Sequence, residues 1–222
     1  MTRRISKQLR IGKVTVGGDA PIVVQSMTKT VTCDIPATIN QIKELEDSGC
    51  EIVRVAVPDK EAAESLATIK KGISLPLIGD IHFDYRLALA ALQAGVDGLR
   101  LNPGNIGDKE QIAKVVTAAK EREVSIRIGV NAGSLPANFQ PKAPLARRMV
   151  RMALEQIRLM ESLDFDLIKV SLKAFDVPTT IQAYQMIADR MPYPLHLGVT
   201  EAGLFRTGAI RSAIGIGILL YQ

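Results

Sequence analysis

Ser125-Ile-Arg-Ile-Gly-Val-Asn131 alternates Ile126, Ile128 and Val130 with Ser125, Arg127, Gly129 and Asn131. A period of two marks a strand, with one aliphatic face and one face carrying a cation and an amide. The pattern recurs along the chain. Ile52-Val-Arg-Val-Ala-Val57 sets Arg54 and Ala56 against Val53, Val55 and Val57. Pro76-Leu-Ile-Gly-Asp-Ile-His82 puts Asp80 and His82 on one side, and Gly98-Leu-Arg-Leu-Asn102 sets Arg100 and Asn102 against Leu99 and Leu101. Leu167-Ile-Lys-Val-Ser171 opposes Lys169 and Ser171 to Ile168 and Val170. Pro194-Leu-His-Leu-Gly198 opposes His196 to Leu195 and Leu197, and Gln25 begins the series in Pro21 to Met27. Seven strands are thus expected, each with polar groups on one face.

Helical stripes separate them. Ala37–Ser48 carries Ile39, Ile42 and Leu45 and ends at Gly49. Glu61–Lys71, Tyr85–Gln93, a helix capped by Asp108, Leu145–Leu163, Pro178–Arg190 and Ala209–Leu220 follow in turn. Regular β/α alternation argues for parallel βα units. In an open doubly wound sheet both strand faces meet helices and should be apolar. A polar face instead suits the lumen of a TIM (β/α)8 barrel, which needs eight strands and typically about 250 residues. With seven strands in 222 residues, the expectation is an incomplete barrel. Residues 1–20, with Gly17-Gly18-Asp19, are read as an N-terminal arm or hairpin, and 21–222 as the barrel domain lacking its last strand.

Composition narrows the function classes. The chain is 47% hydrophobic, enough for a real core. Aromatics make up 4% and tryptophan is absent, which disfavours stacking platforms for single-stranded nucleic acid. The net charge of +5 is mild and suits an enzyme of anionic metabolites. No apolar run is long enough for a bilayer span, and no apolar signal core follows the basic N-terminus. Two cysteines, Cys33 and Cys50, make neither a disulfide framework nor a metal spacing. A cytoplasmic location is the expectation, without nucleic-acid or membrane partners.

Arg54, Arg100, Arg127 and Lys169 would converge on one lumen, where unpaired buried charge is costly. Asp80 and Glu201 are the candidate counter-charges at that level. A bound polyanion such as a diphosphate would complete the balance through bidentate arginine contacts; an internal salt-bridge network is the alternative. Asp80 and His82, at i and i+2, suit acid–base or orienting work. Asn102 and Asn131 would bind substrate hydroxyls or cap loops. His196 is a lumen ligand or a hydrogen-bonded core histidine. Two histidines are too few for a zinc triad. Glu201 breaks the inward parity of Pro194–Thr200 by one place, which puts it at the strand's end, where barrel enzymes keep catalytic groups.

Six motifs carry a resemblance: Val24-Gln-Ser-Met27, Ile52-Val-Arg-Val55, Asp80-Ile-His-Phe83, Arg100-Leu-Asn-Pro-Gly-Asn105, Arg127-Ile-Gly-Val-Asn-Ala-Gly133 and His196-Leu-Gly-Val-Thr-Glu-Ala-Gly203. In this order and spacing they resemble the N-terminal barrel of the 4-hydroxy-3-methylbut-2-enyl diphosphate synthase family of the non-mevalonate isoprenoid pathway. The resemblance runs from about residue 10 to residue 222. It implies an oxidoreductase that reductively opens 2-C-methyl-D-erythritol 2,4-cyclodiphosphate. It further implies a [4Fe-4S] cluster on a separate C-terminal domain, reduced flavodoxin or ferredoxin as electron donor, and a homodimer. Carried onto this sequence, Arg54, Arg100, Arg127 and Lys169 would bind the diphosphate. Asp80, His82, Asn102 and Asn131 would shape the site, and Glu201 would handle the proton; Ser171 and His196, on the same lumen face, are further candidate substrate-binding residues. Cys33 and Cys50 do not match the cluster ligands, so this stretch alone is expected to be inactive. Two other readings fit the residues: a dihydropteroate synthase-like transferase that binds a diphosphate in its barrel, and a non-catalytic ligand-binding fragment.

Overall fold

The computed structural model describes residues 3–82, 84–101 and 109–222. An antiparallel hairpin, β1 (Leu9–Ile11) and β2 (Val14–Val16), comes first. Its Ile11 packs on Ile52 and Ile78, with Val14, Val16 and Val23 beside them. Ile52 opens one strand and Ile78 lies near the start of another, so the hairpin closes the bottom of the sheet.

Six parallel strands follow in sequence order: β3 (Gln25–Met27), β4 (Ile52–Val57), β5 (Leu77–Ile81), β6 (Gly98–Leu101), β7 (Ser125–Asn131) and β8 (Ile168–Lys173). Helices α1 (Ile35–Asp47), α2 (Lys60–Lys71), α3 (Tyr85–Gln93), α4 (Lys109–Glu121), α5 (Leu145–Ser162), α6 (Val177–Ala188) and α7 (Phe205–Tyr221) come between and after them. The sheet is curled into part of an α/β barrel. Its outward aliphatic face (Val53, Val55, Val57, Ile126, Ile128, Val130) and the helical stripes (Leu66, Ile69, Val115, Met149, Ala153, Ile157) form one buried cluster. That is the physical reason the polar residues of the same strands must face inward.

Local chemistry fixes the ends of the helices. Asp34, Asp59, Asp84 and Asp176 each accept a backbone N–H in the first turn of α1, α2, α3 and α6. The Asp108 cap expected for α4 lies outside the described residues. Past the C-termini, Gly49, Gly95, Glu123 and Asp164 all take positive φ, the left-handed turn that satisfies final carbonyls. At Gly49, φ is +89° and a Cβ would meet nothing within 4 Å. Gly49→Ala is therefore expected to cost only the backbone term, about 1 kcal/mol. Urea unfolding would show this as a lower midpoint with an unchanged slope; a loss of about 3 kcal/mol or more would mean that Gly49 has a packing role.

Three expectations are corrected. The first core strand is only Gln25–Met27 rather than Pro21–Met27. The seventh, expected over Pro194–Thr200, is not a regular strand. It touches β8 through one isolated bridge, Val170 with Leu195, and a few backbone hydrogen bonds. The last helix also starts four residues earlier than its periodicity predicts, at Phe205. It packs Gly215 against Val177 and Val199 and leaves Phe205, Ile210 and Ile214 exposed.

Candidate functional site

The site follows from register. In the parallel ladder Asp80 pairs with Arg100, Arg100 with Arg127, and Arg127 with Lys169. Paired residues of neighbouring strands project to the same face, so four charged side chains from β5, β6, β7 and β8 form one row across the lumen. The positions above continue on β7 and β8, where Gly129 pairs with Ser171 and Asn131 with Lys173. Asp80, Arg100, Arg127, Lys169 and Ser171 are all buried, none more than 7% exposed.

Asp80 is the carboxylate of this row. Its two oxygens face Arg100 Nη1 at 3.1 Å and Arg54 Nε at 3.4 Å. Arg54, two residues below the row on β4, also sets its guanidinium against Met27 Sδ at 3.0 and 3.2 Å. Arg100 reaches the Gly129 carbonyl at 3.4 Å. This approach depends on glycine: a Cβ at Gly129 would lie 2.7 Å from Arg100 Nε. Arg127 Nη1 donates to Ser171 Oγ at 2.6 Å. Arg127 Nε and Nη2 and Arg100 Nε are buried without a hydrogen-bond partner.

Sequence reasoning missed Lys173. It ends β8 in the same parity as Lys169 and Ser171, and that parity was the available signal. Its stem lies along the bare backbone of Gly198, where a Cβ would come within 2.7 Å of Nζ. With Lys173, five cations share the lumen with Asp80. The consequences appear in their proton affinities. Burial, then the repulsion of Arg54 and Arg100, lowers Arg127 to about 9. Burial and the neighbouring arginines lower Lys169 and Lys173 to about 7 each. Burial, then Arg127, Lys173, Lys169 and Arg54, pushes His196 well below its usual range, so its imidazole is neutral at neutral pH.

The remaining sequence candidates divide. Asn131 ends β7, and its carbonyl accepts from Ser134 Oγ at 2.9 Å in the short 3-10 turn Ala132–Ser134. His82 directly follows β5 and is partly buried. Asn102 lies outside the described residues. Glu201 is not brought into the cluster. It is exposed with φ +48° on the loop before α7, and among the described residues it makes no ion pair with Arg206, the pairing that sequence had offered as its alternative. Among the described residues, the counter-charge at that level is therefore Asp80.

The arrangement can grip a compact polyanion. Buried guanidinium nitrogens are left without partners, and among the described residues only Asp80 answers the positive charge of the row. The described residues do not suit a metal cluster. Cys50 is buried and turned to the Ile52 carbonyl, Cys33 sits partly buried before α1, and no three His, Cys, Asp or Glu side chains converge. No described helix is long and apolar enough to cross a membrane.

Residues 6–222 match the family described as the GcpE TIM-barrel domain. The chain is 63% identical, over its whole length, to a 4-hydroxy-3-methylbut-2-en-1-yl diphosphate synthase (flavodoxin) of Dehalococcoides mccartyi, and it spans 64% of that protein. A protein of the same name from Geobacter sulfurreducens is 56% identical over 97% of the chain, which spans 62% of it. Among solved structures, a type I 3-dehydroquinate dehydratase from Clostridium difficile aligns with a TM-score of 0.65 at 19% identity, covering 93% of this chain and 84% of that one. The dihydropteroate synthase of Yersinia pestis aligns at 0.63 and 12%, covering 97% and 80%. At such identities these two likenesses speak for the barrel fold alone.

Proposed function

The chain belongs to the GcpE TIM-barrel family, and from that premise we propose that it is the substrate-binding barrel of a 4-hydroxy-3-methylbut-2-enyl diphosphate synthase. The substrate would be 2-C-methyl-D-erythritol 2,4-cyclodiphosphate, opened reductively with loss of a hydroxyl. The observation that carries this reading is the Arg127 fork, buried 97% with two of its three nitrogens unpartnered. A diphosphate in the lumen would accept from Arg127 Nε and Nη2 and from Arg100 Nε, and would neutralise Lys169 and Lys173. Asp80 would hold Arg54 and Arg100 in place rather than act on the substrate. Ser171 would orient Arg127, and neutral His196, His82, Asn102 and Asn131 would meet the carbon skeleton and its hydroxyls.

Glu201 is proposed as the proton-handling carboxylate at the barrel mouth, outside the buried cluster. The two electrons would come from reduced flavodoxin, named for the relatives, or from ferredoxin. The relatives' chemistry would call for a [4Fe-4S] cluster as electron carrier; the described residues do not fit it, so its ligands would lie outside them. A cytoplasmic homodimer completes the proposal.

Calorimetric titration of the chain with the cyclic diphosphate, with orthophosphate as control, tests the assignment. Saturable binding at least about tenfold tighter than orthophosphate is expected, since two phosphoryl groups engage more of the cation row. Equal affinity for both ligands in a folded chain would remove the substrate assignment.

A further inference from the structure

The backbone ladder between β8 and the segment from Pro194 is interrupted above His196 and resumes only where Thr200 N–H donates to the Ala174 carbonyl at 3.3 Å. Val170 N–H donates to the Pro194 carbonyl at 3.0 Å, and His196 N–H donates to the Val170 carbonyl at 2.7 Å. The next rung of a parallel pair would run from Leu172 N–H to the His196 carbonyl. Instead a side chain from α6 occupies it. Tyr184 Oη accepts from Leu172 N–H at 3.2 Å and donates to the His196 carbonyl at 2.5 Å. Two hydrogen bonds in series replace one of about 2.9 Å, so the hydroxyl holds the segments apart just above His196. Tyr184 is 1% exposed. Burial raises its phenol well above the ordinary value, so the hydroxyl keeps the proton it donates. On the next turn toward the N-terminus of the same helix, Thr180 Oγ1 accepts from Ala174 N–H at 3.1 Å and donates to the Asp176 carbonyl at 2.9 Å. Helix α6 is thereby fastened to the end of β8, and the wedge cannot drift.

We propose that Tyr184 is a positioning residue for the lumen: its hydroxyl sets the splay between β8 and the Pro194–Thr200 segment, and that splay places His196 and makes room for Lys173 over Gly198. Both residues the wedge controls adjoin it. The Tyr184 hydroxyl bonds the backbone of His196 itself. Lys173 follows Leu172 directly and lies across Gly198, two residues past His196, where a side-chain carbon would collide with it. Without the hydroxyl, Leu172 N–H and the His196 carbonyl would be left buried and unpaired, which the chain avoids by zipping the rung shut. Closure would draw His196 and Gly198 toward β8, against the Lys173 stem. The consequence for ligand binding rests on the reading of the lumen as a diphosphate site; the consequence for His196 does not.

Tyr184→Phe keeps the ring and removes the wedge. The chain has two histidines, so a ring-labelled sample gives two resolvable imidazole signals. The His196 signal is expected to shift in Tyr184→Phe while that of His82 stays, and pyrophosphate affinity is expected to fall roughly tenfold, the scale seen for outer partners of a binding group. A tyrosine that merely supports the fold would lower the melting temperature and leave both signals in place; that result overturns the proposal. Failure of the unaltered chain to bind pyrophosphate would strike the diphosphate reading, and the imidazole signals would still decide the role of Tyr184. Should Tyr184→Phe not fold, the unaltered chain decides alone. A scalar coupling across a direct Leu172 N–H to His196 carbonyl hydrogen bond should be absent, and its detection overturns the wedge.

Discussion

Replacing Arg127 with Met should stabilise the ligand-free chain by about 1–4 kcal/mol while weakening pyrophosphate binding by about 2–5 kcal/mol. The two effects share one cause. Arg127 is 3% exposed, beside Arg54 and Arg100, and the Ser171 hydroxyl is its hydrogen-bond partner. Its charge is desolvated and repelled, which is why its proton affinity falls to about 9. Met has a similar length, fills the same space and needs no partner. The Ser171 hydroxyl can rotate, so little is orphaned by the change. When a diphosphate is bound, the same guanidinium faces its counter-charge and becomes one of the strongest contacts available. Thermal unfolding with and without pyrophosphate reads both effects: Arg127→Met should melt higher alone and gain less from the ligand. A variant that melts lower alone would mean that Arg127 is compensated in the empty lumen. A variant with unchanged affinity would remove Arg127 from the site.

How far the sequence carries can be judged residue by residue. The period of two in Ser125–Asn131 makes the inward face of β7 legible, and the same alternation makes Arg100 and Lys169 legible, because a strand cannot turn one side chain without turning all. The registers between strands are not legible. They depend on how each β-α connection returns, and they decide that Asp80, Arg100, Arg127 and Lys169 form one row. Glu201 shows a second limit. Its break in parity puts it past the strand's end, but parity cannot say where the loop then aims it: the chain enters a left-handed bend there and leaves Glu201 exposed. The seventh strand shows a third. Pro194–Thr200 alternates as well as any other segment, but nothing local announces a tyrosine hydroxyl from another element in its ladder. The family resemblance was legible because short motifs survive where registers and bends cannot be read.

Binding of pyrophosphate at pH 8 should take up protons, on the order of one or two per chain, and affinity should fall as pH rises above about 7. Lys169 and Lys173 stand at about 7 in the empty lumen because burial and the neighbouring arginines oppose their charge. At pH 8 both are mostly neutral. A polyanion restores the favourable charge and returns both toward the usual lysine value, so each must collect a proton as the ligand enters. The sign for stability follows from the same values. In the unfolded chain these lysines titrate near 10.4. Between about pH 7 and 10.4 the unfolded state therefore binds more protons, and the stability of the ligand-free chain should rise with pH through that window. Below about 7 both states are protonated and the penalty, several kcal/mol or so for the pair, is fully present and flat. Titrations in two buffers of different ionisation enthalpy count the protons. Melting temperatures between pH 6 and 9, with and without pyrophosphate, should converge as pH rises, because the free chain gains while the complex loses its electrostatic advantage. A binding enthalpy independent of the buffer at pH 8 would mean that both lysines are already charged in the empty barrel. The surplus of positive charge would then be balanced without a bound polyanion.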